Sequence, residues 1–108
     1  MDDQLFRDRA DVALADLYRR LTQASEWHPF EADFNNGALT IEFDQAPAKF
    51  VVSPNSPVHQ IWVSAHSKSF KLEWDDAAGA FVLPATKQTL TEMLGEAVSQ
   101  QLGETVNL

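Results

Sequence analysis

Between Leu5 and Leu21 the apolar residues Phe6, Ala10, Ala13, Leu14, Leu17 and Leu21 fall at offsets of 0, 4, 7, 8, 11 and 15 from Phe6. At 3.6 residues per turn these positions share one face of an α-helix. Asp2 and Asp3 stand at its start and Arg19 and Arg20 near its end, the signs that complement a helix dipole. His28-Pro29 limits the helix, because the residue before a proline disfavours helical backbone. From about Phe30 to Leu83 the period shortens to two. Leu39, Ile41 and Phe43 alternate with Thr40, Glu42 and Asp44 behind an Asn36-Gly37 pair, which predicts a strand entered through a tight hairpin. Further strands are expected over 49–53, 58–65, 70–74 and 80–83, separated by the turn-forming runs 53–57, 67–69 and 75–79.

After Pro84 the helical period returns, with Leu90, Met93, Leu94, Ala97, Val98 and Leu102 on one face. Thr89-Leu90-Thr91-Glu92 offers a capping box, and Gly103 a residue able to end the helix. Gly95 costs this helix about 1 kcal/mol relative to alanine, which predicts an offset from packing or from close approach of another backbone. The order helix, five or six strands, helix, with every element amphipathic, predicts an α+β fold. It is a two-layer sandwich with two helices on one face of an antiparallel sheet, spanning residues 1–108 as a single domain. The other sheet face is then left to water.

Charge and composition narrow the functions such a domain can have. Sixteen acidic against eight basic residues give a net charge of −8, a field that repels phosphate backbones and attracts cations and basic protein surfaces. Neither nucleic acid nor an anionic membrane is expected as a partner. With no cysteine the chain has no disulfide, thiolate ligand or thiol nucleophile. Met1-Asp2-Asp3-Gln4 lacks the basic and apolar parts of a targeting segment, so the expected location is the cytoplasm. The four glycines are isolated, and neither a Gly-x-Ser-x-Gly elbow nor a His-Glu-x-x-His motif occurs, so nothing points to an enzyme.

Two sets of residues remain as candidates. In Pro57-Val58-His59-Gln60-Ile61-Trp62-Val63, alternation sets Ile61 and Val63 against Gln60 and Trp62. If the aliphatic pair faces the helices, Trp62 stands on the bare sheet face. There it is either an exposed anchor for a partner or packed across the sheet against a neighbouring strand. The second set is carboxylate: Asp3, Asp8, Asp11, Glu26, Glu31 and Asp33, with His28 among the last three. Such a set suits a labile site for a hard cation. Equally, Arg7 lies four residues before Asp11, and Asp16 three and four before Arg19 and Arg20, as ordinary helix ion pairs on a solvated face do. His59 and His66 stand apart from this set.

The Pro57 to Val63 segment and the tail Gln100-Gln101-Leu102-Gly103-Glu104-Thr105-Val106, in this order of elements, resemble the frataxin family, specifically its bacterial CyaY type. The resemblance covers nearly the whole chain. It implies the same sandwich, and an iron-binding protein of iron–sulfur cluster assembly that binds the cysteine desulfurase and scaffold complex. Such a protein either donates iron or regulates the desulfurase; alternatively it docks there with little iron of its own. Carried over to this chain, the family's partner surface falls on Gln60 and Trp62, with Asn55 and Lys71 nearby. Its acidic iron ridge falls on Asp11, Glu31 and Asp33, with Asp3, Asp8 and Glu26 around them and His28 as a borderline ligand. Where bacterial members carry a run of aspartates this chain has Arg19-Arg20, so ferrous or ferric iron is expected to bind weakly and reversibly. The resemblance also implies a monomer, with iron able to drive oligomers and ferroxidation conceivable only as a side activity.

Overall fold

The computed structural model describes residues 1–108. Helix α1 spans Asp3–Ala24. Strands β1 to β6 follow as Phe30–Asn35, Ala38–Phe43, Lys49–Asn55, Gln60–Ala65, Lys68–Asp75 and Ala80–Val82, and helix α2 closes as Leu90–Leu102. The six strands form one antiparallel sheet in sequence order, with β1 and β6 at its edges.

Alternation along each strand decides which layer a side chain joins. Leu39, Ile41 and Phe43 of β2, Phe50 and Val52 of β3, Ile61, Val63 and Ala65 of β4 and Leu72 of β5 are buried. With Phe6, Ala10, Leu14, Leu17 and Leu21 of α1 and Leu90, Leu94 and Val98 of α2 they form one core, as the α+β sandwich requires. No polar or charged side chain is buried. All of the chain's ionic chemistry therefore sits at the surface, on the outer faces of the helices, on the sheet face without helices and along the rims.

Helix α1 extends beyond the Leu5 to Leu21 pattern at both ends, whereas α2 has the bounds its pattern, cap and Gly103 stop suggested. The side chain of Asp2 caps α1, accepting from the Leu5 amide at 2.7 Å, and Thr89 and Glu92 make the reciprocal capping box of α2. Because α1 continues to Ala24, Arg19 and Arg20 lie inside it and its last turn carries no base. Both arginines bond Asp16 instead, each at 2.8 Å. The ion pair expected between Arg7 and Asp11 does not form; no carboxylate lies within 4.0 Å of Arg7.

Two hairpin turns set the register. Asn36 and Gly37 adopt φ values of 53° and 78°, the left-handed pair of a type I′ turn. His66 and Ser67 do the same at 53° and 62° without glycine. His66 Nε2–H donates to the Ala97 carbonyl at 3.1 Å and its ring packs edge-on to Phe50, contacts that hold it in that conformation. The separator expected at 67–69 is thus one residue earlier and only two residues long. The segment 53–57 also divides differently. β3 runs through Pro54 to Asn55, and this is tolerated because pairing with β2 ends at Val52, so the missing Pro54 N–H breaks no ladder on that side. Residues Ser56–Val58 form a 3₁₀ turn, and His59 at φ 51° redirects the chain so that β4 starts at Gln60 rather than Val58.

The offset expected at Gly95 is packing: the residue is buried where the C-terminal tail crosses α2, without an approach so close that only glycine fits. A Cβ built there would meet the Val106 carbonyl oxygen and Leu108 Cγ at 3.7 Å, ordinary van der Waals distance. Replacing Gly95 by Ala should therefore stabilise the protein by about 0.5–1 kcal/mol through helix propensity. A urea midpoint that falls in Gly95→Ala would show that the C-terminal tail cannot keep its seat on α2.

Candidate functional site

The sheet face without helices gathers the four residues Asn55, Gln60, Trp62 and Lys71. Asn55 pairs with Gln60 across β3 and β4, and Trp62 pairs with Lys71 across β4 and β5. Directly opposed residues put their side chains on the same face. Ile61 and Val63, their alternates, are buried against the helices. Trp62 keeps 39% of its surface exposed. It is thus outside the core and packed across the sheet against the neighbouring strand, as one of its two readings had it, while still presenting surface to a partner: its Nε1–H donates to Gln60 Oε1 at 2.9 Å, and Lys71 Nζ lies 5.1 Å from its ring centroid, in cation–π range. A shallow hollow of about 370 Å³ beside the ring has Val51, Ser53, Ser64 and Ser69 in its lining. Glu73 belongs to this surface although its side chain gave no sequence signal, accepting from Gln60 Nε2 at 3.0 Å. The register of the His66-Ser67 hairpin would have placed it opposite Gln60.

The seven metal candidates do not converge. Helix α1 has 22 residues, so Asp3 lies about 30 Å from its far end, where the chain turns through Glu26 towards β1. Asp3 accepts from His59 Nε2–H at 2.7 Å, and the His59 ring stacks on Phe6 with centroids 5.3 Å apart, tying the start of α1 to the start of β4. Asp8 accepts from Gln4, while Asp11 and Glu26 are exposed. His28 turns away from the first strand: its buried Nδ1 faces the Glu104 carboxylate at 3.4 Å without an aligned hydrogen bond. Glu31 and Asp33 do share a face, as expected of positions i and i+2, and Glu31 stands opposite Glu42. These three carboxylates line a groove of about 220 Å³ at the β1 edge with Thr22, Ser25 and Thr40. Even so, no group of three or more His, Asp or Glu side chains comes close enough to hold a metal ion. The donor set is thus one of loosely spaced carboxylates, which fits a hard cation only through shared waters. Glu42 is the member missed, and its place opposite Glu31 follows from the Asn36-Gly37 turn.

The largest hollow, about 510 Å³, lies between α1, the β5–β6 hairpin and the start of α2, with Val12, Ala13, Trp74, Phe81 and Leu90 in its wall. Of the candidates it includes Asp8 alone. No helix is long and apolar enough to cross a membrane.

Comparison with known proteins bears on this arrangement. A family model described as the frataxin-like domain matches residues 1–104. The iron-sulfur cluster assembly protein CyaY of Pseudomonas aeruginosa is 28% identical over 108 residues, covering 98% of this chain and 95% of that protein. The protein of the same name from Azotobacter vinelandii is 28% identical over 91 residues, 82% of each. The solved structure of a frataxin from Psychromonas ingrahamii has a TM-score of 0.79 at 24% identity, covering 99% of this chain and 97% of that one, a likeness of fold.

Three exposed carboxylates are held below their ordinary pKa: Asp3 by the His59 hydrogen bond, Asp16 by those from Arg20 and Arg19, and Glu92 by the Thr89 backbone and hydroxyl. A group whose folded pKa is depressed adds stability above its unfolded value and loses it as pH falls through the folded one. Unfolded Asp and Glu titrate near about 4, so stability should drop as the solution is acidified below that value. Asp16→Asn should flatten the drop, read as urea midpoints between pH 5 and 3. Parallel profiles for the two proteins would contradict the assignment.

Proposed function

The chain belongs to the frataxin-like family, and from that premise we propose that it acts in iron–sulfur cluster assembly by docking on the cysteine desulfurase and scaffold complex. The observation that carries this reading is the cluster of Asn55, Gln60, Trp62 and Lys71 on the sheet face that the helices leave free. An indole held on a rigid strand, next to an amide and a lysine, is the kind of anchor on which interface energy concentrates. Relatives of this chain are named iron-sulfur cluster assembly proteins, which supports the assembly role. The chain contributes binding and orientation, and no catalytic step is assigned to it.

Iron enters as cargo. Glu31 and Glu42 stand opposite each other, with Asp33 along the same face, and like charges so placed repel. A ferrous or ferric ion, or any hard cation, relieves that repulsion without a preformed cage. Binding should then be about micromolar or weaker, with calcium or manganese competing. The double substitution Glu31→Gln with Asp33→Asn should remove most binding in a ferrous titration, and unchanged curves would put the site elsewhere. Regulation of the desulfurase by docking is favoured over iron donation, because the docking residues converge and the ligand candidates are scattered.

Docking is tested by titrating the desulfurase complex with three proteins in the presence and absence of ferrous iron. Trp62→Ala should weaken binding by about 2 kcal/mol with the fold retained. Ile61→Ala should do the reverse, losing about 2–5 kcal/mol of stability through the cavity it leaves, with the folded fraction binding normally. Strong destabilisation by Trp62→Ala together with normal binding would sink the interface.

A further inference from the structure

Glu73 meets Gln60 across β4 and β5 on the sheet face without helices. The Gln60 side-chain amide is engaged at both ends, its Nε2–H donating to Glu73 Oε2 at 3.0 Å and its Oε1 accepting from Trp62 Nε1–H at 2.9 Å. An indole nitrogen can only donate and a carboxylate can only accept. The two neighbours of Gln60 therefore demand the same orientation of its amide, and turning it over would set donor against donor and acceptor against acceptor. Lys71 sits over the indole ring from the adjacent strand, 5.1 Å from its centroid. Glu73 and Lys71 are alternate outward residues of β5, opposite Gln60 and Trp62 respectively. One strand thus supplies both restraints, Lys71 on the ring directly and Glu73 through the amide.

We propose that Glu73 is a positioning residue for docking: through Gln60 it fixes the Trp62 indole in one orientation before a partner arrives. This rests on the docking reading above. Side chains already ordered in the free protein lose less freedom on association. The relay also consumes the indole's only donor, so Trp62 offers a partner its ring surface rather than a hydrogen bond.

Two substitutions separate this role from a simple effect of charge. Glu73→Gln removes the charge and keeps an acceptor for Gln60, whereas Glu73→Leu removes both. Two readouts are taken: the Trp62 indole N–H resonance in the free protein, identified by its loss in Trp62→Phe, and affinity for the desulfurase complex. Glu73→Gln should leave the resonance in place and affinity within about twofold, whereas Glu73→Leu should shift the resonance and weaken binding about three- to tenfold. Equal losses in the two variants would assign Glu73 an electrostatic role and overturn the proposal, as would an indole resonance unmoved by Glu73→Leu. Unchanged affinity in Trp62→Ala would instead overturn the docking reading and Glu73's part in it. The resonance would still report on the hydrogen-bonded relay itself.

Discussion

Register within the sheet is the constraint on which the other features depend. A slip of one residue in β4 would turn Ile61 and Val63 into water and drive Gln60 and Trp62 into the core, because side chains alternate with a period of two. Burial of the aliphatic set against α1 and α2 opposes that slip, and so do the two-residue turns at Asn36-Gly37 and His66-Ser67, which leave each hairpin a single alignment. The same alignment decides what meets on the outer face. Trp62 finds Lys71, Gln60 finds Glu73, and Glu31 finds Glu42. The docking face and the acidic edge are in this sense by-products of packing the other side.

The two surfaces differ in how they are satisfied. On the docking face Gln60, Trp62, Lys71 and Glu73 satisfy one another, with the amide of Gln60 between indole and carboxylate and the ammonium of Lys71 over the ring. At the β1 edge Glu31, Asp33 and Glu42 share a groove and have no basic side chain within 4.0 Å. The first arrangement is ordered before anything binds, and the second gains from whatever cation arrives. Two of the remaining candidates meet residues far along the chain. Asp3 is held by His59, which links the start of α1 to the sheet, while His28 only faces Glu104 across 3.4 Å.

Much of this was legible in the sequence because it depends on periodicity. Both helices, the capping box at Thr89, the Asn36-Gly37 hairpin, the antiparallel sheet and the side on which Trp62 lies all follow from which residues are apolar and how far apart they stand. What escaped depends on single backbone conformations or on distance through space. His59 and His66 adopt left-handed backbone that histidine rarely favours, and the reasons are tertiary: the Phe6 stack and Asp3 for one, the Ala97 carbonyl and Phe50 for the other. Pro54 reads as a strand breaker unless it is known that β2 stops short of it. The carboxylates form a plausible set in sequence, yet 22 residues of rigid helix hold Asp3 far from Glu31. Glu42 and Glu73 could have been found by counting outward from each two-residue turn, a step that needs the turns located to the residue.

The central claim is that the helix-free face meets the partner. The chain carries three tryptophans in three different surroundings: Trp62 on that face, Trp27 82% exposed in the turn after α1, and Trp74 edge-on to Phe81 beneath Arg9. Their indole N–H resonances can be followed together while the cysteine desulfurase complex is added. The account predicts that the Trp62 resonance shifts or broadens first while those of Trp27 and Trp74 hold their positions. Movement of Trp27 or Trp74 with Trp62 unaffected would place the contact on the helical side and contradict it.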